Sequence, residues 1–179
     1  MLVLTVPETE LYNEEASTFV TEPEVVLELE HSLSSLSKWE SEWEKPFLGP
    51  TPKTEAETVG YIKAMTLSDF PPEVFSRLTN VHLDLVNAYI NSKQTATWFA
   101  ENPNQKPSRE VVTTELIYFW MISLNIPFEC QNWHLNRLLT LIKVCNEKNA
   151  PKKKMSTSQI AARNRQLNEQ RRASQGTRG

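Results

Sequence analysis

Glycine and cysteine are scarce in this chain of 179 residues, which has four of the first and two of the second. Phosphate-binding loops and the turns that expose a catalytic nucleophile depend on glycine, and the sequence has no motif of either kind. Two cysteines, Cys130 and Cys145, are too few for the disulfide framework of a small secreted domain. We therefore expect free thiols in a reducing compartment.

Long hydrophobic runs are also missing. The most apolar stretch, Leu116–Leu124, is about half of the ~20 residues that a membrane span needs. Polar residues, Glu115 and Asn125, flank it. The apolar start, Met1–Pro7, lacks the basic region and the long apolar core of a signal peptide. We expect a cytosolic protein that does not enter a membrane.

Two segments near the C-terminal end of the core carry the clearest helical patterns. Leu116–Leu124 is apolar in almost every direction around a helix, which predicts a buried helix capped by Ser108 and stopped by Asn125. From Leu135 to Cys145 apolar residues recur at steps of three and four, as in an amphipathic helix. A short connection favours antiparallel neighbours, so we expect a helical hairpin at the centre of the core.

The N-terminus alternates between apolar and polar side chains instead. Residues 2–6 and 17–21 flank a polar turn and predict a β-hairpin, while Val25, Leu27 and Leu29 mark a third strand. Three strands with one apolar face are stable only against another layer. The predicted sheet therefore packs on the helices.

Helical periodicity takes over near Ser32, and either Ser32 or Ser34 can cap the first helix. Thr54 with Glu57 forms a capping box for the next helix. These patterns predict a mostly α-helical α+β fold, with a small N-terminal antiparallel β-sheet packed on a helical core. We expect a single domain over residues 1–150, β-rich at 1–32 and helical from 33, followed by a basic tail at 151–179.

Charge is unevenly distributed, although the formal net charge is only −3. The first 58 residues are strongly acidic and the end of the chain is basic. The tail has too few apolar residues to fold alone, so we expect a flexible or partly helical arm that orders on a partner. The basic side chains predicted to contact that partner are Lys152, Lys153, Lys154, Arg163, Arg165, Arg171 and Arg172.

Aromatic residues form a second candidate contact. Trp39, Trp43 and Phe47 recur at a four-residue step, and exposed aromatic side chains often dominate protein–protein contacts. The alternative is that the row packs on the sheet. The continuation of the same apolar stripe through Leu33 and Leu36 favours packing.

Candidate catalytic and metal-ligating residues are few. Cys130 and His134 stand four residues apart, and His31, His82 and Cys145 could join them after folding. A structural zinc site needs four ligands, and a thiol nucleophile needs an orienting group and an oxyanion hole. Neither pattern is complete in the sequence. We predict a protein that is not an enzyme and uses neither a metal nor another cofactor.

Six short runs spread over most of the chain carry a family resemblance. They are Glu30–Leu33, Ser37–Glu40, Lys45–Leu48, Thr95–Phe99, Ile126–Cys130 and Trp133–Leu138. In these runs the chain resembles the tail assembly chaperones of siphophage-type tailed bacteriophages, which are encoded ahead of the tape measure protein.

The resemblance implies a non-catalytic protein of the host cytoplasm that binds the long, largely helical tape measure protein during tail assembly and is absent from the mature virion. It also implies a frameshifted, longer form of the chain as a partner. The charge distribution, for its part, indicates that the basic arm can dock on an acidic protein or on the acidic half of another copy. Two alternatives stay open. One is a structural tail or connector protein of the virion. The other is a nucleic-acid-binding protein acting through the basic arm, which the acidic core surface disfavours.

Overall fold

The computed structural model of the protein describes residues 1–13, 18–99, 110–150 and 157–175. The chain divides into two compact units, Met1–Asn146 and Glu147–Gly179. It is mostly helical, with a small antiparallel sheet packed on helices, so the predicted fold class is confirmed. Within the described parts of the chain, no helix is both long and apolar enough to cross a membrane.

The described strands form two antiparallel pairs. They are β1 (Leu2–Val6), β2 (Thr9–Asn13), β3 (Thr18–Glu22) and β4 (Val25–Leu29). β1 pairs with β4, and β2 pairs with β3. The predicted hairpin between residues 2–6 and 17–21 is therefore wrong. A second hairpin is inserted between the two strands that carry the apolar face.

The pairing follows from which side chains can be buried. Leu4 of β1 lies opposite Leu27 of β4, and both are at most 2% exposed. In β3, by contrast, Phe19 and Val20 are both exposed. Pairing β1 with β4 joins two apolar faces into one, which a pairing of β1 with β3 would not do.

The described helices are listed here in chain order. They are α1 (Leu33–Trp43), α2 (Glu55–Met65), a 3₁₀ helix at Pro72–Arg77, α3 (Asn80–Ile90), α4 (Thr114–Ser123), a second 3₁₀ helix at Phe128–Asn132, α5 (Leu135–Asn149) and α6 (Thr157–Gln175). Two predicted caps are confirmed. Ser32 accepts a hydrogen bond from the backbone of Ser35, and Thr54 and Glu57 form a reciprocal capping box.

α1, rather than a hairpin of α4 and α5, is the centre of the first unit. Its closest helical neighbours are α2, α4 and the 3₁₀ helix Phe128–Asn132. Its Leu33 and Leu36 are completely buried. The chain leaving α2 then runs along β4, because Leu67 N donates to Glu28 O at 2.8 Å. The sheet and the helices thus share one core.

The two ends of α4 are fixed in different ways. The predicted cap, Ser108, lies outside the described residues, and α4 begins at Thr114. There the Glu40 carboxylate of α1 accepts hydrogen bonds from the Thr114 backbone N–H at 2.8 Å and hydroxyl at 2.6 Å. The predicted stop is confirmed, since Asn125 has a φ of 53°. Ile126 N also donates to Met121 O at 2.8 Å.

Replacing Glu40 by alanine should therefore destabilise the domain. Thr114 is only 1% exposed, so its hydroxyl and N–H would lose their partner where water has little access. We expect the free energy of unfolding to fall by about 2 kcal/mol in urea denaturation. Glu42→Ala, at an exposed position of the same helix, should change it by less than about 0.5 kcal/mol. Equal losses in the two variants would contradict the capping role.

Candidate functional site

A cluster of polar side chains lies inside the first unit. The hydroxyl of Tyr61 is 2.5 Å from Nδ1 of His31, and the rings of His31 and His134 are 5.0 Å apart between centroids. Nε2 of His134 lies 3.1 Å from the carbonyl oxygen of Tyr89. The hydroxyl of Tyr89 donates to Oε1 of Glu30 at 2.6 Å. The cluster thus links the start of α1 with α2, α3 and α5.

Burial controls the protonation of this cluster. Burial, and then the charge of His134, lower the pKa of His31 from 6.5 to about 4. Burial also lowers the pKa of His134 and raises the pKa of Tyr61. The core therefore favours neutral imidazoles and a neutral phenol. His31 and Tyr61 are 2% and 3% exposed, so both side chains are part of the core.

The other candidate reactive group, Cys130, is also buried. Burial, and then the charge of Glu129, raise the pKa of its thiol. A nucleophilic cysteine needs the opposite shift, because the thiolate is the reactive form. Among the described residues, no group of three or more His, Cys, Asp or Glu side chains could hold a metal ion.

The predicted aromatic row is part of the core. Trp39 is 1% exposed and its indole N–H donates to Glu57 O at 2.8 Å. Phe47 is buried with its ring 5.1 Å from that of Trp39, and Trp43 is half-buried. The row is therefore packed, although against α2 rather than against the sheet. The exposed-anchor hypothesis is wrong for Trp39 and Phe47, because α2 covers both side chains.

An apolar surface lies on the outer side of α4 and just beyond it. Phe119 is 61% exposed, Ile122 is 60% exposed, and Phe128 in the following 3₁₀ helix is 54% exposed. We call these three residues the α4 surface. The expectation that α4 is buried on every side is therefore wrong. Its fully buried apolar residues, Ile117 and Met121, take only one side of the helix.

Contacts of Tyr118 join the two parts of the α4 surface. Phe119 and Ile122 are three residues apart on the helix, so their side chains are neighbours. Tyr118 lies beside them, with its ring centroid 6.3 Å from that of Phe128. Its hydroxyl donates to Gln131 Oε1 at 2.8 Å, which holds the 3₁₀ helix against α4. Large apolar side chains held this way can dock a partner without first losing much conformational freedom.

Acidic side chains accompany this surface. Glu115 is exposed one helical turn before Phe119, and Glu129 is exposed beside Phe128. Hydrogen bonds from its own backbone N–H and from Thr113 lower the pKa of Glu115. A partner that presents apolar residues flanked by basic ones would match this surface in both respects.

The predicted basic residues divide into two groups. Arg163, Arg165, Arg171 and Arg172 lie on α6, whose side chains are all exposed. Lys152, Lys153 and Lys154 lie outside the described residues. The structure therefore places four of the predicted contact residues on one solvated helix.

The α4 surface is the feature that the sequence reasoning missed. A helix that is apolar on all sides is expected to be buried, yet α4 has only ten residues and its main helical neighbour is α1. One neighbouring helix covers one side only. The sequence did contain one indication of this exposed surface. Leu116–Leu124 has more large apolar residues than one face of a helix can hold.

Comparison with known proteins does not assign this chain. No protein-family model, no curated protein and no solved structure matches it. Its function must be inferred from its own surfaces.

Proposed function

We propose that this protein is a non-catalytic tail assembly chaperone of a tailed phage, which holds helical segments of the tape measure protein in the host cytoplasm while the tail assembles. The observation that supports the proposal is the α4 surface, where three large apolar side chains are each more than half exposed. Large exposed apolar patches on soluble proteins commonly mark contacts with other proteins. Phe128 also belongs to one of the runs that carry the family resemblance, Ile126–Cys130.

The geometry suits an amphipathic helix as the ligand. Such a helix docks through apolar residues spaced three and four apart, and Phe119 and Ile122 offer the same spacing in return. Three side chains form a small contact, so each copy should bind weakly. Weak binding at many positions would keep a long partner soluble and still allow the chaperone to leave.

Co-expression with a tape measure protein, which the resemblance expects to be encoded after this chain, tests the proposal. The unmodified chain should keep the tape measure protein soluble and co-purify with it. Phe119→Ser with Ile122→Ser should reduce co-purification at least tenfold, because it removes both apolar contacts from the helix. Val81→Ser with Leu85→Ser is the matched control, since these residues of α3 are 67% and 49% exposed. Equal binding by both double variants would reject the α4 surface as the site.

Removing the tail tests the contribution predicted for the basic arm. A chain ending at Ala150 should keep the thermal unfolding transition of the first unit and should bind the tape measure protein several-fold more weakly. The reason is the loss of Arg163, Arg165, Arg171 and Arg172, which are exposed and available to a partner. Unchanged binding would confine the site to the first unit.

Two further measurements separate the alternatives. A structural tail or connector protein would be found in purified virions at stoichiometric amounts by mass spectrometry, whereas a chaperone would not. A nucleic-acid-binding protein would bind through the exposed arginines of α6. Its affinity for DNA or RNA would then fall steeply with rising salt, with a slope set by the number of phosphates contacted.

A further inference from the structure

The hairpin of β2 and β3 presents an aromatic, acidic surface. Tyr12 and Phe19 lie opposite each other in the register, with ring centroids 5.2 Å apart, and are 55% and 70% exposed. Glu10 lies two residues before Tyr12 and therefore on the same face. We call Glu10, Tyr12 and Phe19 the hairpin surface. A two-stranded ribbon with its aromatic side chains in solvent is only marginally stable in water, so a partner would stabilise it.

The hairpin lies in a strongly acidic part of the chain. Residues 8–24 contain six glutamates and neither lysine nor arginine. A cationic partner with a few apolar side chains would match it. Residues 115–129, which contain the α4 surface, hold two glutamates, Glu115 and Glu129, so the hairpin region is the richer of the two in acidic residues.

α6 has the complementary character. It contains four arginines and one glutamate, and all its side chains are exposed. Ile160, Arg163, Leu167 and Arg171 follow one another at steps of three and four, so two apolar and two basic side chains share one face of the helix. A solvated helix of this composition is marginal on its own, and packing on a partner would stabilise it.

We propose that the hairpin surface of one copy binds the Ile160, Arg163, Leu167 and Arg171 face of α6 from a second copy. The apolar residues of α6 would pack on the rings of Tyr12 and Phe19, and its arginines would pair with Glu8 and Glu10 or stack on the rings. Every copy carries both surfaces. The contact is heterologous, because it joins two different surfaces. A pair of copies would still have one unoccupied hairpin surface and one unoccupied α6, so further copies could add head to tail.

Such a chain of copies deepens the proposed function, on which this consequence rests. Copies joined head to tail would present successive α4 surfaces along a long helical partner, and each weak contact would strengthen the next through high local concentration. The self-association itself needs no tape measure protein. It can therefore fail while tape measure binding succeeds, and the reverse also holds.

Sedimentation velocity of the purified full-length chain tests the proposal. In 50 mM NaCl the average sedimentation coefficient should rise with protein concentration from 5 to 200 μM, and in 500 mM NaCl the rise should disappear because salt screens exposed charges. Arg163→Glu with Arg171→Glu should abolish the rise. Adding Glu8→Lys and Glu10→Lys to that same chain should restore part of the rise, because the two new lysines can pair with the two new glutamates of α6.

Two control variants make the result specific. Arg165→Glu with Arg172→Glu changes the net charge equally but lies off the apolar stripe, so it should weaken association less than threefold. Phe19→Ser, at a position 70% exposed, should weaken association at least tenfold without lowering the thermal unfolding temperature of the first unit. A concentration-independent monomer in 50 mM NaCl would overturn the proposal, as would association that survives Arg163→Glu with Arg171→Glu.

Discussion

Trp39→Ala should lower the free energy of unfolding by about 3–5 kcal/mol, which is a large part of the ~5–15 kcal/mol that stabilises a typical domain. Trp39 is 1% exposed, so alanine would leave a cavity in the middle of the core. The backbone oxygen of Glu57 would lose the hydrogen bond that the Trp39 indole N–H donates to it at 2.8 Å. The ring contacts with Trp43 and Phe47, at 6.2 and 5.1 Å between centroids, would also be lost.

The control for this variant is another tryptophan. Trp98 is 74% exposed, so Trp98→Ala should change the free energy of unfolding by no more than about 1 kcal/mol. Urea denaturation followed by circular dichroism gives both values. Similar losses in the two variants would show that Trp39 does not occupy the core position described, and the exposed-anchor hypothesis would then return.

Acid should destabilise the protein well above the pH at which carboxylates become protonated. The pKa of His31 is about 4 in the folded state against an ordinary 6.5, so the unfolded state binds more protons between these values. The stabilisation that comes from the lowered pKa of His31 is therefore complete above about pH 6.5, and it is lost as the pH falls from 6.5 towards 4. From pH 7 to pH 5 His31 alone should remove about 2 kcal/mol. His134, whose pKa is also lowered, acts in the same direction.

Two variants identify the source of this pH dependence. His31→Gln removes the titrating group, so its unfolding free energy should change less between pH 7 and pH 5 than that of the unmodified protein. Tyr61→Phe keeps His31 buried and should retain the steep dependence. The comparison is limited to pH 5 and above because Glu57 adds its own acid sensitivity below about pH 4.5. The hydrogen bond from Lys45 lowers the pKa of Glu57, so protonation of this carboxylate destabilises the folded state. A slope in His31→Gln equal to that of the unmodified chain would contradict the assignment.

Local features of the fold could be predicted because they depend on neighbours in the chain. Ser32 and the Thr54 and Glu57 pair cap helices through hydrogen bonds that span three residues. Asn125 stops α4 through its own backbone conformation. The mostly helical α+β class followed from the change of apolar period near Ser32.

Contacts between residues that are far apart in the chain could not be predicted from local sequence patterns. The strand pairing depends on Leu4 meeting Leu27, and the residues between them could equally have supplied the partner strand. The carboxylate at the start of α4 comes from Glu40, 74 residues before Thr114. No spacing rule connects residues so far apart in the chain.

The candidate contact surfaces divide in the same way. The exposed arginines of α6 were evident from composition, because a segment with few apolar residues has no means of burying its charges. Exposure of aromatic residues was not evident. Trp39 and Phe119 are both large aromatic residues in amphipathic or apolar helices, yet one is 1% exposed and the other 61%.

The sequence by itself determined the helix boundaries set by local caps, the mostly helical fold class and the separation of an acidic N-terminus from a basic tail. These properties depend on single residues and on composition. Only the tertiary structure decided that α1 lies at the centre, that its Trp39 is buried and that Phe119, Ile122 and Phe128 remain in solvent. Burial depends on how many neighbouring elements surround a helix, and that number is fixed by packing between distant parts of the chain rather than by the apolar character of the helix itself.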